Sequence, residues 1–524
     1  NYWLYLGHGA KLFHINMLKR YEDRQPDTIP QTASFVVMKE EETDTPLPAC
    51  TVKPTVGVEA IPIGSSLEED KRTELRKILT TYQDVFSEIP GKTNLLECRL
   101  QLTTSEPINT PQYPLPLAMK EVVEQEVQDM LRLGVIELSH SPYNSPLVLI
   151  KKPDNTYRTC VDFRRINEIL VSDAEPIPRT DLMLTEVGTK RYFSKFDLTK
   201  GYWQVPLDRT SRPVTAFSTQ SGHFQFIYMP FGIKTASAVF TRLMRTLLQG
   251  LENVVHYIDD VLIATNTWEE HIDTLQRLLQ KVRESGLTIK PQKCEIAVES
   301  IVFLGHRLGG GTIQPVETTV LKIASAPLPD TKKQLRSFLG LAGYYRDLTP
   351  RYAEKAEPLT QLTRKMEKNK ICWTPETEGA FQTLKQALAS GPIVKALDPK
   401  RVFILRTDAS DTCIGAVLMQ EHEGLLHPVS YASRQLLPRE QNYSTIEREC
   451  LALVWAVEKF HIFLYGVQFI VQTDHQPLQY LAKAKHLNSR LLRWSLVLQE
   501  YTFHIQHIKG SENAGADFMS RLRP

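Results

Sequence analysis

A chain of 524 residues with 62 basic and 60 acidic side chains carries a formal charge of only +2, so no global positive field marks it as a polyanion binder. Its length exceeds one ordinary core and predicts three or four domains, while 42% apolar and 23% charged residues are the proportions of a globular protein. No apolar run approaches the ~18 residues of a membrane span, and no signal peptide opens the chain. The seven cysteines, Cys50, Cys98, Cys160, Cys294, Cys372, Cys413 and Cys450, show no paired short spacing, which predicts a reducing compartment and no structural zinc.

The first residues, Asn1-Tyr2-Trp3, lack an initiator methionine, and the chain reads as a piece of something longer. Residues 1–24 hold two amphipathic scraps ending in the basic stretch Lys11–Tyr21. Residues 25–66, rich in Pro, Thr, Glu and Asp, read as a solvated linker. Ser66-Leu67-Glu68-Glu69 fits a capping box that opens a helix to about Phe86, giving a linker with one helix over 25–94. Extended, proline-punctuated chain from Pro107 to Pro116 precedes a helix from about Ala118 to Leu133. The strand Leu147–Ile150 then runs into Lys151-Lys152-Pro153-Asp154-Asn155 and returns as Tyr157–Phe163. Two lysines at one end and Arg158 on the return strand make a cationic prong, or else a solvated edge hairpin.

The strand Tyr192–Phe196 ends at Asp197, and Gly201-Tyr202-Trp203-Gln204 follows at once. An acid at a strand end beside a glycine turn suits a rigidly held metal ligand, although caps and turns also use aspartate. A helix over Ala236–Leu248 leads to the stretch that organises the chain. Two short β-branched runs flank Tyr257-Ile258-Asp259-Asp260 and predict a hairpin that lifts both carboxylates to its tip. Adjacent aspartates repel and resist desolvation, so either the turn is solvated or a cation offsets them, with magnesium and its hard oxygen ligands the natural candidate.

Residues 351–400 read as polar helices, including Trp373-Thr374-Pro375-Glu376 and a periodic Phe381–Leu388 stretch. The strand Val402–Thr407 ends at Asp408, and 414–420 and 427–431 continue a meander. A long helix places Cys450, Leu453, Val457, Phe460 and Leu464 on one face, with Glu449 at its margin and Glu447 nearly opposite. The strand Phe469–Thr473 ends at Asp474, and Asn513-Ala514-Gly515-Ala516 introduces Asp517 at the start of a last helix. Singly, Asp474 could be a turn acid and Asp517 a cap. Together the four acids could meet at one edge of a mixed sheet as a two-metal site for hydrolysis by water.

Five blocks in order, Ser145-Pro146 through Lys151, Cys160-Val161-Asp162-Phe163-Arg164, Phe196-Asp197-Leu198, Met229-Pro230-Phe231-Gly232 and Tyr257-Ile258-Asp259-Asp260, resemble the reverse transcriptase of gypsy-type LTR retrotransposons. Lys293-Cys294-Glu295, Phe303-Leu304-Gly305-His306 and Leu335–Arg346 look like the same family's palm exit, primer grip and thumb. Thr407-Asp408-Ala409-Ser410, Glu449-Cys450-Leu451-Ala452, Thr473-Asp474-His475 and Asp517-Phe518-Met519-Ser520-Arg521 resemble its RNase H domain. The likeness covers about residues 95–524, and Lys11–Tyr21 more weakly resembles the closing tail of an integrase, which would be an uncommon gene order.

The resemblance implies an α+β chain in which a right-hand polymerase (fingers, palm, thumb) is followed by an RNase H-like α/β domain. The expected division is an integrase-tail-like fragment at 1–24, the linker at 25–94, fingers and palm at 95–300, thumb and connection at 301–375, and RNase H at 376–524. The implied activity is RNA- and DNA-directed DNA synthesis with cleavage of RNA in RNA–DNA hybrids. Its substrates and partners are an RNA template, a DNA primer, the hybrid and dNTPs. The cofactor is Mg2+, two ions per active site, with Mn2+ as a substitute. Asp197 and Asp259 would bridge both polymerase ions and Asp260 complete the primer-side site, while Asp408, Glu449, Asp474 and Asp517 serve as catalytic metal ligands for hydrolysis. Lys151 and Arg158 would grip the β- and γ-phosphates, and Tyr202 would gate the sugar against a ribose 2′-hydroxyl. Phe231 joins this nucleotide-binding group at a position where retroviral enzymes often carry glutamine. His507 stands where some relatives place a proton-handling histidine, although an exposed strand histidine is the plainer reading. A homodimer, a cytoplasmic virus-like particle with access to the nucleus, and no membrane complete the expectations. The competing class is a catalytically decayed remnant that still binds nucleic acid, against which every expected carboxylate is present in the sequence.

Overall fold

The alternation of Tyr192-Phe193-Ser194-Lys195-Phe196-Asp197 decides where the cores of this protein lie, because successive side chains of a strand point to opposite faces. The structure is a computed structural model that describes residues 2–5, 10–13, 59, 61–114, 116, 119–151, 157–474 and 489–508. Residues 1–52 form one unit, in which β1 (Tyr2–Tyr5) and β2 (Ala10–Phe13) pair antiparallel. The rest of the expected integrase-like tail, and nearly all of the expected 25–66 linker, lie outside the described residues.

The second unit, 53–524, holds everything else. The expected capping box at Ser66 does not form: the first helix is Glu69–Thr81, with Glu68 as its N-cap and no side-chain cap bond. The helix begins too late for Ser66 to reach its free N–H groups, and Arg72 reaches back to the Ser65 carbonyl instead. A short 3-10 turn, Gln83–Val85, finishes the segment before Phe86. After the helix Lys120–Arg132 come β3 (Ile136–Leu138), β4 (Leu147–Lys151) and β5 (Tyr157–Val161). The last two make the expected hairpin, with Lys151 in register with Tyr157 and Ile150 with Arg158.

Next come β6 (Tyr192–Asp197), β7 (Phe217–Ser218), β8 (His223–Phe226), β9 (Val254–Tyr257), β10 (Asp260–Thr265) and β11 (Glu295–Val298). Four of these form an antiparallel sheet in the order β11-β6-β10-β9. One face of this sheet sends Phe196, Val261 and Ile263 into a first core, shared with the helices Ala236–Leu248 and Trp268–Glu284. The other sends Phe193, Leu262 and Ala264 into a second. The helix Trp268–Glu284 starts on a complete capping box, Thr267 with Glu270.

The second core continues under β12 (Ser300–Phe303), β13 (His306–Gly309), β14 (Thr312–Pro315) and β15 (Val394–Lys395), a sheet in that order. The helices Lys332–Tyr344, Tyr352–Gln361 and Pro375–Ala389 supply Leu335, Phe338, Leu359, Phe381, Leu384 and Leu388 to it.

A third core belongs to β16 (Phe403–Ala409), β17 (Cys413–His422), β18 (Leu425–Gln435), β19 (Gln468–Thr473) and β20 (Thr502–His507). Their order is β18-β17-β16-β19-β20, antiparallel in the first three and parallel from β16 to β20. The helix Thr445–Lys459 covers this sheet through Cys450, Leu453 and Val457. The β17–β18 hairpin is longer than the sequence predicts because Glu423 and Gly424, both at positive φ (53° and 79°), close it in two residues. No helix among the described residues is long and apolar enough to cross a membrane.

Candidate active sites

In the antiparallel ladder of β6 and β10, Asp197 pairs directly with Asp260, so both carboxylates leave the same face at the same level. Asp260 also pairs with Tyr257, which leaves Ile258 and Asp259 as the two-residue turn between β9 and β10. Ile258 takes φ 55°, a conformation that a β-branched residue adopts only at a cost of about 1–3 kcal/mol. Strain of this kind, stored beside three acids, is a frequent mark of a working site. Gly201 packs against the same turn: a Cβ there would lie 3.3 Å from Asp259 Cβ and 3.1 Å from Phe240 Cζ, so any larger residue would have to push its neighbours back by a few tenths of an ångström.

Burial, and then the charges of Asp197 and Asp260, raise the Asp259 carboxyl above its ordinary range. Two cations of the chain itself answer the cluster. Lys293 Nζ donates to Asp197 Oδ2 at 2.7 Å, and Lys195 Nζ lies 3.2 Å from Asp260 Oδ1. The hydrogen bond to Asp197 is the main cause that holds the Lys293 ammonium above its usual pKa, with all three aspartates adding to it.

The second acidic group is built at adjacent strand ends. Asp408 is the penultimate residue of β16, and Asp474 follows β19, whose Gln472 pairs in parallel with Arg406. Glu449, from the covering helix, is buried, and its Oε2 has no hydrogen-bond partner. Burial first, then the charge of Asp474, pushes its carboxyl up to about 7. A buried, unpartnered carboxylate oxygen is costly unless a cation meets it. Arg351, at φ 50° in the N-cap position of the helix Tyr352–Gln361, reaches across and forms an ion pair with Asp408. Asp517 lies outside the described residues.

Among the described residues no three acidic, histidine or cysteine side chains stand gathered as a metal-holding group. The chemistry of the donors nevertheless suits a hard divalent ion. The sequence-predicted donors are all carboxylates, one buried oxygen of Glu449 lacks any partner, and the nearby ammonium and guanidinium groups mark where positive charge is welcome.

These positions fall inside two recognised families. Residues 150–308 match the reverse transcriptase (RNA-dependent DNA polymerase) family, and residues 398–501 match the RNase H-like domain found in reverse transcriptase. The retrovirus-related Pol polyprotein from transposon 297 of Drosophila melanogaster is 40% identical over 467 residues, covering 87% of this chain and 44% of that protein. That from transposon gypsy of the same fly is 34% identical over 441 residues, 80% of this chain and 42% of that protein. The chain belongs to the reverse transcriptase–RNase H family of gypsy-type Pol polyproteins.

The chain spans less than half the length of the curated relatives it matches. It shares its fold with the foamy viral protease-reverse transcriptase solved in complex with dsDNA: TM-score 0.78 and 23% identity, covering 86% of this chain and 96% of that one. The same viral protein in complex with RNA/DNA hybrid gives a TM-score of 0.73 and 23% identity over 86% and 62% of the two chains. The fold is thus the expected right-hand polymerase followed by an RNase H-like α/β domain. Reverse transcriptase and RNase H-like domains are generally dependent on divalent metal.

The remaining sequence candidates of the reverse transcriptase divide. Tyr202 is half-buried in the 3-10 turn Gly201–Gln204, beside the exposed Phe231, whose ring centroid is 5.2 Å away. Lys151 and Arg158 lie on β4 and β5 in the register given above. Glu447 is confirmed as structural: it caps the amino end of its helix with Ser444 and pairs with Arg490 at 2.7 Å. His507, exposed at the end of β20, has Nε2 3.2 Å from the Asp474 carbonyl.

Sequence reasoning missed four groups. Lys195 is two residues before Asp197 and therefore on its face of the strand, a signal the alternation carried. Lys293 stands in the Lys293-Cys294-Glu295 motif, whose spacing carries no sign that its ammonium returns to Asp197. Gln204 is fully buried, bonding the Thr199 and Thr288 carbonyls at 2.9 Å each and accepting from Thr288 N–H at 2.7 Å, which fixes the loop after Asp197. Arg351 gave no signal, since it comes from a different core.

Proposed function

We propose that the chain copies RNA and DNA templates into DNA and cleaves RNA in RNA–DNA hybrids, using two separate acidic sites. The observation that carries this reading is the in-register pairing of Asp197 with Asp260, with Asp259 in the adjoining turn, inside the segment that matches the reverse transcriptase family. Relatives of this fold bound to dsDNA and to RNA/DNA hybrid support a primer–template duplex and a hybrid as the partners. In chain order the division is fingers and palm at 95–300, thumb and connection from 301, and RNase H through 524. The packing of Phe381, Leu384, Leu388 and Val394 in the second core favours starting the RNase H domain near Leu397 instead of at 376.

Extension of a primer is in-line attack of its 3′-hydroxyl on the α-phosphate of a dNTP with loss of pyrophosphate, a reaction that asks mainly for positioning and charge neutralisation. Bound Mg2+, two ions per site with Mn2+ as a substitute, supplies that neutralisation and activates the attacking oxygen. Asp197, Asp259 and Asp260 would hold these ions, and the β6–β10 ladder keeps Asp197 and Asp260 side by side. Lys151 and Arg158 take the outgoing phosphates, and Tyr202 with Phe231 faces the sugar. In the second site Asp408, Glu449, Asp474 and Asp517 play the same holding role for hydrolysis by water.

Primer extension on an RNA template, with the hybrid labelled in its RNA strand, tests the reading. Asp259→Asn should abolish synthesis and keep RNA cleavage, and Asp474→Asn should do the reverse. Loss of both activities in each variant would refute two separate sites. Absence of both from folded wild type with magnesium would identify a decayed nucleic-acid-binding remnant.

A further inference from the structure

Tyr202 follows Gly201, where a Cβ would come within 3.3 Å of Asp259 Cβ and 3.1 Å of Phe240 Cζ, so the 3-10 turn that carries its ring lies against the Asp259 turn. Phe231 and Phe240 hold the ring from two sides, at centroid distances of 5.2 and 5.4 Å and interplanar angles of 43° and 69°. These contacts define the plane of the ring. Being non-directional, they leave the position of the hydroxyl at its tip to be fixed by a polar contact.

The far end of the side chain is tied separately. Tyr202 Oη and Ser237 Oγ are 3.0 Å apart in a hydroxyl–hydroxyl hydrogen bond. Ser237 is the second residue of the helix Ala236–Leu248, and Ala236, Ala238, Val239 and Phe240 around it are all buried in the palm. The tether therefore runs to a rigid element. A wall excludes a 2′-hydroxyl by volume only as far as the wall refuses to move, so the stiffness of the ring sets how well deoxyribose is separated from ribose.

We infer that Ser237 is a positioning residue for sugar selection: its hydroxyl anchors the tip of Tyr202 and stiffens the surface against which a ribose 2′-hydroxyl presses. This rests on the reading that Tyr202 faces the sugar of the incoming nucleotide.

The test is the ratio of kcat/KM for dATP to that for ATP in single-nucleotide extension by the full chain, measured for wild type and the variants Ser237→Ala, Ser237→Thr, Tyr202→Phe and Tyr202→Val. Ser237→Ala and Tyr202→Phe each remove one partner of the same bond. Each should lower the ratio by about three- to tenfold, the range for one neutral hydrogen bond, chiefly by raising use of ATP. Combined, they should lower it no further than either alone. Ser237→Thr, which keeps the hydroxyl, should retain the wild-type ratio, and Tyr202→Val should collapse it. If Tyr202→Val collapses the ratio and Ser237→Ala leaves it unchanged, or lowers both nucleotides equally, the tether has no part in selection. If Tyr202→Val leaves the ratio intact, Tyr202 does not face the sugar and the inference falls with that reading.

Discussion

His271 is fully buried between two hydroxyls, with Nε2 2.7 Å from Ser194 Oγ and Nδ1 2.9 Å from Thr265 Oγ1. Ser194 also accepts the Ala297 N–H at 2.8 Å, so one imidazole links β6, β10 and β11 behind the polymerase acids. Burial pushes its pKa down to about 4 from 6.5. A base whose folded pKa is depressed is neutral in the fold, and the unfolded chain binds the extra proton first as pH falls. Its contribution is therefore whole above pH 6.5 and is lost progressively down to about 4, an effect of up to about 3 kcal/mol. Urea unfolding between pH 7.5 and about 4.5 should show this loss, and His271→Gln should flatten that part of the profile; an unchanged slope would refute it. The sequence displayed this histidine in an amphipathic helix, yet nothing in the spacing could say that two hydroxyls would meet its ring. The same holds for Ser237. The aspartates were legible because two adjacent acids between β-branched runs have few physical uses.

At the scale of elements, the helix Thr445–Lys459 separates two glutamates that lie two residues apart. Glu447 accepts from Ser444 N–H at 3.0 Å in the capping box, whereas Glu449 enters the sheet edge with an oxygen left unpartnered. Glu447→Ala should cost about 1 kcal/mol of stability with hybrid cleavage retained. Glu449→Gln should abolish cleavage and, in chelator at pH 8, raise the melting temperature, because a neutral amide replaces a carboxylate that burial disfavours. A destabilised Glu449→Gln protein would contradict that account. The helical period made this division legible, as it set the two residues on different faces. The capping box proposed at Ser66 failed for the complementary reason. The four-residue pattern is local, and where a helix starts is decided also by what it packs upon, here Leu75, Ile78 and Leu79 against the first core.

Across the whole molecule, three cores follow one another along the second unit, and the palm sheet divides the first from the second. Domain order was readable because each acidic motif came with its own strands. Which core receives the helix Pro375–Ala389 was not. The apolar face of Pro375–Ala389 has the same period whichever neighbour receives it, and only the fold shows Phe381 packed against Phe338 at 4.6 Å between centroids and 44° between ring planes. Strand β15 likewise closes the second sheet although the third begins eight residues later.

One feature of both sites bears on how they fill. Asp197, Asp260 and Asp408 each already hold an ammonium or guanidinium of the same chain. A divalent ion that loaded either site would have to do so by exchange, displacing a tethered positive charge from its carboxylate. Exchange replaces one neutralised acid by another, and the net gain to folding is small. Chelation should stop both reactions yet shift the melting temperature by no more than about 2 °C, whereas Lys293→Met or Arg351→Met should make the protein visibly more stable when magnesium is added. Calorimetric scans of the three proteins with and without the ion would decide it. Equal gains in all three would mean that these side chains are bystanders to loading.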